Sequence, residues 1–266
     1  MVFLRSLFFN IFLFGSIAVA CIIVFPLLFT KDKHMICAGK ILSRYIGVLL
    51  KIFIGVKINF KGTENLKKFD KYFIASAHQS MFETFALQTV ISGPVFGLKK
   101  GLMKIPFFGW CLKKIGAIAI VRDTATKENL NFFDQILNQT NKSKRPLLIF
   151  PQGTRVPYKE RPDFKKGVAR IYEALKLPCV PVALNTGKVW PKNSFNKYPG
   201  NITISFLSPI EPGLSKEDFL KKLQNIIYKE IDFLDWLFSS KVRFISILAS
   251  FYNWFSKIFW FLKNFY

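Results

Sequence analysis

Short apolar runs rich in β-branched and aromatic residues alternate with stretches of helical spacing over most of this chain. Such runs are typical of buried strands, and strands that alternate with helices are characteristic of α/β folds. The runs are 56–60, 72–75, 95–98, 118–121, 147–150, 180–184 and 202–206, and the helical stretches are 80–90, 126–138 and 167–175. The alternation predicts an α/β fold on a mixed, largely parallel sheet flanked by helices, with functional loops at the strand ends.

The first fifty residues differ in composition from this core. Residues 6–30 carry no charged side chain, and a run of this length can cross a bilayer if it is helical. Residues 36–53 have the spacing of an amphipathic helix with basic residues on its polar side, suited to lie along lipid headgroups. We expect residues 1–54 to form a membrane helix or helical hairpin, and both a spanning helix and one embedded in a single leaflet remain open.

Basic residues flank the uncharged run unequally. Arg5 precedes it, whereas Lys31, Lys33, Lys40 and Arg44 follow it. Positive charge near a membrane segment is enriched on the cytoplasmic side. We therefore expect the main domain on the cytoplasmic face of the cell inner membrane.

A signal peptide is the competing interpretation of the N-terminus. The residues Ala18-Val-Ala-Cys21 resemble a lipoprotein cleavage site. The apolar run continues past Cys21 to Phe29, however, and a single charge precedes it, which favours a membrane helix.

The chain is strongly basic, with 39 Lys and Arg against 16 Asp and Glu and a net charge of +23. Such a charge requires anionic partners, either nucleic acid or a membrane with acidic lipids. With 51% hydrophobic residues and 31 Phe, the chain is too apolar for a typical nucleic-acid module. We expect anionic membrane lipids as partners and no nucleic acid.

Metal and disulfide chemistry have little support in the sequence. The four cysteines lie far apart and form no Cys-x-x-Cys or Cys/His spacing, and the chain has two histidines. We interpret the cysteines as small buried hydrophobic residues and expect no metal or other cofactor.

The C-terminal part is expected to contain two helices. Ser215 can cap a helix that continues to about residue 232, after a turn at 210–213. Residues 237–266 are aromatic and basic, which predicts a membrane-interface helix, with a helix docked on the core as the alternative. Residues 55–236 are then one domain between two membrane segments.

One polar block carries an imidazole and a carboxylate close together. His78-Gln-Ser-Met-Phe-Glu83 lies at the predicted strand-to-helix junction. A neutral imidazole can take a proton from a hydroxyl near neutral pH, and a carboxylate fixes its tautomer and stabilises the imidazolium. Ser80 to Glu83 also has the S-x-x-E spacing of a capping box, in which Glu83 accepts from the Ser80 amide. The spacing alone allows both roles.

Five blocks in order resemble the glycerolipid acyltransferase family, and within it the 1-acyl-sn-glycerol-3-phosphate acyltransferases. Residues 78–83 resemble its H-x4-D motif and Phe150-Pro-Gln-Gly-Thr-Arg155 resembles F-P-E-G-T-R. The other three blocks are 100–109, 116–122 and 180–182, and the resemblance covers roughly residues 50 to 210. Four positions depart from the family pattern, namely Glu83 for Asp, Gln152 for Glu, Ala119 for Phe and Val121 for Asp.

The resemblance implies acyl transfer from acyl-CoA or acyl-carrier protein to the sn-2 hydroxyl of lysophosphatidic acid, which forms phosphatidic acid. His78 would be the general base and Glu83 its carboxylate partner. The substrate alcohol can attack the thioester directly, so no Ser or Cys nucleophile is required. The donors to the oxyanion are not identifiable from the sequence.

A phosphate monoester on the acceptor calls for fixed cations. Arg155 suits this because its planar guanidinium can bind two phosphate oxygens. Gly153 would let the backbone approach closely, and Thr154 adds a hydroxyl donor. Arg122 and Lys100 join this substrate-binding set by the resemblance alone.

Two other interpretations stay open. One is an acyltransferase with another acceptor, such as glycerol 3-phosphate, another lysolipid or a lipid A precursor. The other is a basic membrane-binding protein without turnover, to which the departures at Gln152 and in 116–122 give weight.

Overall fold

A mixed sheet organises the chain in the computed structural model, which describes residues 1–91, 93–120, 135–136, 138, 140 and 145–237. Within these residues the sheet has seven strands in the order β1-β7-β6-β2-β5-β3-β4. The strands are β1 (Val56–Lys61), β2 (Phe73–Ser76), β3 (Val95–Lys99), β4 (Ile118–Ile120), β5 (Leu147–Ile149), β6 (Cys179–Leu184) and β7 (Gly200–Phe206). Each predicted run overlaps one of them, with boundaries that differ by up to two residues, although residue 121 lies outside the described residues.

The strand directions decide where the loops meet. Five strands, β2 to β6, run parallel to one another, whereas β7 is antiparallel to β6 and β1 is parallel to β7. Ala75 at the centre of β2 lies opposite Ile149 of β5 and Pro181 of β6. The carboxyl ends of β2 to β6 therefore lie along one edge of the sheet, as expected for ligand-binding α/β sheets.

Amphipathic helices cover the sheet. Predicted helices 80–90 and 167–175 correspond to α3 (Phe82–Val90) and α5 (Gly167–Leu175), while α4 (Phe108–Lys114) was not predicted. The prediction for 126–138 falls almost wholly outside the described residues.

A long helix closes the described chain. Helix α6 occupies 216–237, further than the predicted end near residue 232. Ser215 caps it, because its Oγ accepts the Asp218 amide at 3.1 Å. Apolar residues recur every three or four positions and are buried on one face, namely Phe219, Leu223, Ile227, Ile231 and Leu234.

Two helices joined by a short 3₁₀ turn form the N-terminal part. Helix α1 is Val2–Ile23 and α2 is Asp32–Leu49, which continues as a π-helical turn to Ile54. Among the described helices, one, α1, is long and apolar enough to cross a membrane by length and composition alone.

One face of α1 is docked on the rest of the protein. Phe9 and Leu13 are fully buried, and the Phe9 ring meets Trp190 edge-on at 5.2 Å. The Ser6 hydroxyl accepts the Lys197 amide at 2.8 Å. The opposite face leaves large apolar side chains exposed, namely Phe3, Leu4, Phe8, Ile11, Phe12 and Phe14.

The four cysteines are free thiols, but the expectation that all are buried is wrong. Cys179 in β6 is buried and Cys21 and Cys111 are half-buried, whereas Cys37 is exposed. Cys37 lies one turn before Ile41 on α2, on a face where Ile41 and Val48 are also exposed. The residues described here do not cover that face. The predicted interfacial segment 237–266 lies, beyond residue 237, outside the described residues.

Candidate active site

Loops from three neighbouring strands meet at the carboxyl edge of the sheet. His78 lies two residues after β2, the 150–155 loop follows β5, and Thr186 lies two residues after β6. These three strands are adjacent and parallel in the sheet. The topology thus gathers residues that are over one hundred positions apart in the sequence.

His78 and Glu83 form a buried pair. The Nδ1 atom of His78 lies 3.0 Å from Oε1 of Glu83. Glu83 is fully buried in the first turn of α3, and His78 keeps 7% of its surface accessible. Because a carboxylate only accepts, Nδ1 carries the proton in this pair, which leaves Nε2 as the basic nitrogen. The imidazole is thereby prepared to take a proton from a substrate hydroxyl.

Three further donors hold the Glu83 carboxylate. Its Oε1 atom also accepts the backbone amides of Gln79 at 2.5 Å and Ser80 at 2.7 Å. Its Oε2 atom accepts the Thr186 hydroxyl at 2.9 Å. A buried carboxylate is costly unless it is hydrogen-bonded, and these contacts supply the partners.

The two roles open for Glu83 in the sequence therefore coexist. The carboxylate accepts the Ser80 amide, as the capping-box spacing predicts, and it also faces the imidazole. The Ser80 hydroxyl accepts the Phe82 amide at 3.0 Å at the same helix start. The positive end of α3 adds to the stabilisation of the negative charge.

The 150–156 loop holds His78 in place. The imidazole stacks on the Phe150 ring with centroids 4.0 Å apart and planes at 19°. Gln152 Oε1 accepts the backbone amide of His78 at 2.6 Å, and the His78 carbonyl accepts the Val156 amide at 2.7 Å. The imidazole thus lies directly against the loop that carries the predicted phosphate-binding residues.

Gly153, Thr154 and Arg155 lie in the loop that follows β5. Gly153 adopts a left-handed backbone, with φ of 72°, and its amide donates to the Phe150 carbonyl at 2.9 Å. An added Cβ at this position would have space, because the nearest atom is 3.5 Å away. A side chain would nevertheless be strained there, because φ lies in the left-handed region that favours glycine. Thr154 is exposed, and Arg155 is half-buried immediately before Val156.

The remaining predicted binding residues are only partly described. Lys100 is exposed at the start of a 3₁₀ helix that follows β3, on the same edge of the sheet but one strand beyond β5. Arg122 lies outside the described residues. The structure thus brings His78 and Glu83 together beside the loop of Gly153, Thr154 and Arg155.

Several contacts of this site were missed in the sequence. Thr186 donates to Glu83, and Gln79 accepts the Gly187 amide at 3.0 Å, which ties the loop after β6 to the residue next to His78. The available signal was positional, because the polar residues 185–186 follow a buried strand at the carboxyl edge of the sheet.

A cleft of about 800 Å³ adjoins this cluster. Its lining includes Gly187, Tyr158, Lys188 and Asp235 and does not include His78. Lys188 forms an ion pair with Asp235, and this hydrogen bond lowers the pKa of the Asp235 carboxyl. The cleft therefore lies beside the His78–Glu83 pair.

Among the described residues, His, Cys, Asp and Glu form no cluster of three that could hold a metal ion.

Residues 57–185 match a protein-family model described as Acyltransferase, which includes His78, Glu83 and the whole 150–155 loop. This region belongs to the acyltransferase family. The resemblance inferred from the sequence blocks is confirmed.

Known acyltransferases are similar in sequence to this chain. The chain is 35% identical over 159 residues to a 1-acyl-sn-glycerol-3-phosphate acyltransferase of Pseudomonas aeruginosa, which covers 59% of this chain and 60% of that protein. It is 32% identical over 187 residues to a protein of the same name from Saccharomyces cerevisiae, covering 66% and 60%. The chain thus aligns with about 60% of the length of these two relatives.

A solved structure shares the fold. The crystal structure of the 1-acyl-sn-glycerophosphate (LPA) acyltransferase PlsC from Thermotoga maritima superposes with a TM-score of 0.71 at 20% identity. The match covers 88% of this chain and 98% of that protein. The predicted α/β fold class is confirmed.

Proposed function

We propose that the chain is a membrane-associated acyltransferase that moves a fatty acyl group to the sn-2 hydroxyl of lysophosphatidic acid and forms phosphatidic acid for phospholipid biosynthesis. The donor would be acyl-CoA or acyl-carrier protein. The observation that carries the proposal is the 3.0 Å contact between His78 and Glu83 inside the acyltransferase region. The printed names of the relatives support the choice of acceptor.

The reaction follows from the tautomer that Glu83 imposes. His78 Nε2 takes the proton of the acceptor hydroxyl as its oxygen forms a bond to the thioester carbonyl carbon. The tetrahedral intermediate then breaks its carbon–sulfur bond, and the imidazolium gives the proton to the departing thiolate, which leaves as the thiol. Glu83 stays ionised and stabilises the imidazolium between these two steps.

We further propose that Arg155 binds the phosphate of the acceptor, with Gly153 and Thr154 shaping the loop around it. Arg155 precedes Val156, whose amide is bonded to the His78 carbonyl, so the backbone at Arg155 lies close to that of His78. A guanidinium can bind two phosphate oxygens at once. Lys100 and Arg122 are further candidates for this anion site.

Membrane attachment is assigned to the exposed apolar side chains of α1 and α2. These include Ile41 and Val48 on α2 and Ile52 in the π-helical turn that follows it, each about half exposed or more. An uncovered apolar surface of this kind is typical of contact with lipid. Because the other face of α1 is docked on the core, we favour helices embedded in one leaflet of the inner membrane, with the domain on the cytoplasmic face.

The proposed organisation has three parts. Residues 1–54 would anchor the chain, 55–236 would catalyse the transfer, and 237–266 would contact the membrane interface. The net charge of +23 supports anionic lipids as partners of the membrane surfaces.

Acyl transfer by the purified protein tests the function. Radiolabelled acyl-CoA and acyl-carrier protein are each offered with lysophosphatidic acid, glycerol 3-phosphate or another lysolipid. We expect phosphatidic acid from lysophosphatidic acid, and a loss of roughly 10²–10⁴-fold in His78→Ala, as for a removed general base. Transfer to another acceptor alone would refute the choice of acceptor. Lipid binding without transfer by either protein would favour a non-catalytic membrane protein.

A further inference from the structure

The side chain of Gln152 bridges the backbone of His78 and helix α6. Its Oε1 atom accepts the His78 amide at 2.6 Å, and its Nε2 atom donates to the Tyr228 hydroxyl at 3.4 Å. Gln152 is buried, so water does not readily replace either partner. One amide thus connects the residue that carries the imidazole to a tyrosine 76 residues further along the chain.

Chemistry fixes the direction of this hydrogen-bond chain. A backbone amide can only donate, so the carbonyl oxygen of Gln152 must face His78. The Tyr228 hydroxyl donates to the Pro162 carbonyl at 2.5 Å, and a carbonyl can only accept. The hydroxyl therefore offers a lone pair to the Gln152 amide. A carboxylate at position 152 would instead bring an acceptor against an oxygen whose proton is already engaged.

Tyr228 is itself held firmly. Its ring contacts Phe164 with centroids 5.1 Å apart and lies 5.6 Å below the Arg161 guanidinium. Arg161 also pairs with Asp232, one turn later on α6, at 2.9 Å. Burial raises the pKa of the Tyr228 hydroxyl, so it remains a donor to Pro162 at neutral pH. Helix α6 thus presents a fixed hydroxyl to Gln152.

We propose that Gln152 and Tyr228 are positioning residues for the reaction, through which helix α6 holds the His78 backbone and hence its imidazole against Phe150. The assignment rests on the proposed function, since it concerns the same base. It also gives Gln152 a physical role: this amide matches the Tyr228 and Pro162 arrangement, and a Glu would not.

The test begins with a measurement that needs no turnover. The chain has two histidines, His34 and His78, so the protein labelled with ¹⁵N in its histidine rings gives a simple NMR spectrum. Replacing Tyr228 by Phe should shift the ring signals of His78 and leave those of exposed His34 in place. Gln152→Glu is the second variant and should shift the same signals.

Tyr172→Phe is the matched control. Its hydroxyl also donates to a carbonyl, that of Glu211 at 2.6 Å, and accepts an amide, that of Leu214 at 3.1 Å. It lies on α5 and is joined to the segment after β7 rather than to the 150–156 loop. This variant should leave the His78 signals unchanged, although it removes a comparable pair of hydrogen bonds.

Kinetics provides the second arm. Tyr228→Phe should lower kcat roughly three- to tenfold, the range expected for one neutral hydrogen bond, with KM for lysophosphatidic acid within about twofold of wild type. Gln152→Glu should lower kcat more in the wild-type background than in the Tyr228→Phe background, because the latter lacks the conflicting oxygen.

The outcomes separate the two proposals. Unchanged His78 signals in both variants, or additive effects on kcat, would overturn the positioning role. If wild type transfers no acyl group to any acceptor, the proposed function fails, and the NMR arm still decides whether Tyr228 sets the environment of His78. The proposal would also be overturned if the His78 ring signals shifted in every variant with a lowered melting temperature, the control Tyr172→Phe included. The shifts would then report a general loss of stability and no specific contact with Tyr228.

Discussion

The hydroxyl of Thr186 donates to Oε2 of Glu83 at 2.9 Å, across 103 residues of sequence. The loop after β6 thereby fixes the carboxylate that faces the His78 imidazole. Because Gln79 also accepts the Gly187 amide, two contacts of the same loop brace the His78–Glu83 pair. With the stacking of His78 on Phe150, the orientation of the His78 imidazole thus depends on how the loops after β2, β5 and β6 pack together.

Thr186→Val should weaken both the fold and the catalyst. The change keeps the shape but removes one donor to a buried carboxylate, which is worth about 1.5–3 kcal/mol. We expect the free energy of unfolding to fall by about that amount and kcat to fall as well, measured by urea denaturation and acyl transfer. Thr89→Val is the control, since its hydroxyl donates to the Ala86 carbonyl in the same helix, away from Glu83. Equal effects of the two variants on kcat would contradict the role of Thr186.

Glu83→Gln separates the charge of this side chain from its capping contacts. A Gln oxygen can still accept the amides of Gln79 and Ser80, but the side chain cannot stabilise an imidazolium. We expect a loss of kcat of roughly 10²–10⁴-fold with a melting temperature close to that of wild type. Glu173→Gln, which alters an exposed ion pair with Lys216, serves as the control. Retained activity in Glu83→Gln would mean that Glu83 serves as a capping residue and that its charge is not needed for the reaction.

The sequence was most informative where the signal is local. Strand composition located the sheet, and the spacing from His78 to Glu83 located the imidazole and its carboxylate. Thr186, Gln152 and Tyr228 were missed as partners because their contacts join segments at least 74 residues apart, and a single sequence does not reveal which loops meet. The spacing allowed either role of Glu83, but it could not show that one carboxylate serves several donors and fills both roles at once.

Helix α1 illustrates a different limit. Its sequence is apolar on all sides, so periodicity could not distinguish a docked face from a lipid-facing one. The structure divides it, with Phe9 buried and the adjacent Phe8 half exposed. The contacts of Phe9 with Trp190 and of Ser6 with Lys197 identify which side belongs to the core.

Substitutions on the two faces of α1 should therefore have different effects. Phe9→Ala removes a buried ring and should lower the free energy of unfolding by about 3–5 kcal/mol. Phe8→Ser should change it by less than about 0.5 kcal/mol, as is usual at an exposed site, yet weaken binding to vesicles of phosphatidylcholine and phosphatidylglycerol roughly tenfold. Denaturation and vesicle co-sedimentation measure the two. Unchanged vesicle binding in Phe8→Ser would contradict the assignment of this face to lipid.

Arg155→Ala should affect binding of the acceptor. Loss of a charge-assisted contact costs about 1.5–3 kcal/mol, so KM for lysophosphatidic acid should rise by at least roughly tenfold, with a smaller rise for Arg155→Lys. KM for the acyl donor should change little. The control is Arg170→Ala, on the exposed face of α5. A rise in KM for the donor alone would assign Arg155 to the other substrate.

The stability of the protein should depend on the protonation of Lys197. This side chain is 4% exposed, donates to the carbonyls of Ser194 and Phe195 and lies 5.2 Å from the Trp190 ring. Burial lowers its pKa to about 8, from the ordinary value of 10.5 for a lysine. Between these two values the unfolded chain binds more protons than the folded one, so the contribution of Lys197 to stability rises with pH.

Replacing Lys197 by Met, which keeps an unbranched stem against Trp190, removes this titration. The melting temperature of wild type should therefore increase relative to that of Lys197→Met as the pH rises from about 7.5 to about 10. Taking the difference between the two proteins cancels the titration of all other groups. The effect should also be seen at α1, because the Lys197 amide donates to Ser6. Protection factors of the α1 amides, which are corrected for the faster base-catalysed exchange at high pH, should therefore rise over the same pH range. A difference in melting temperature that stays constant or falls with pH would mean that the charged ammonium is not penalised in the folded protein.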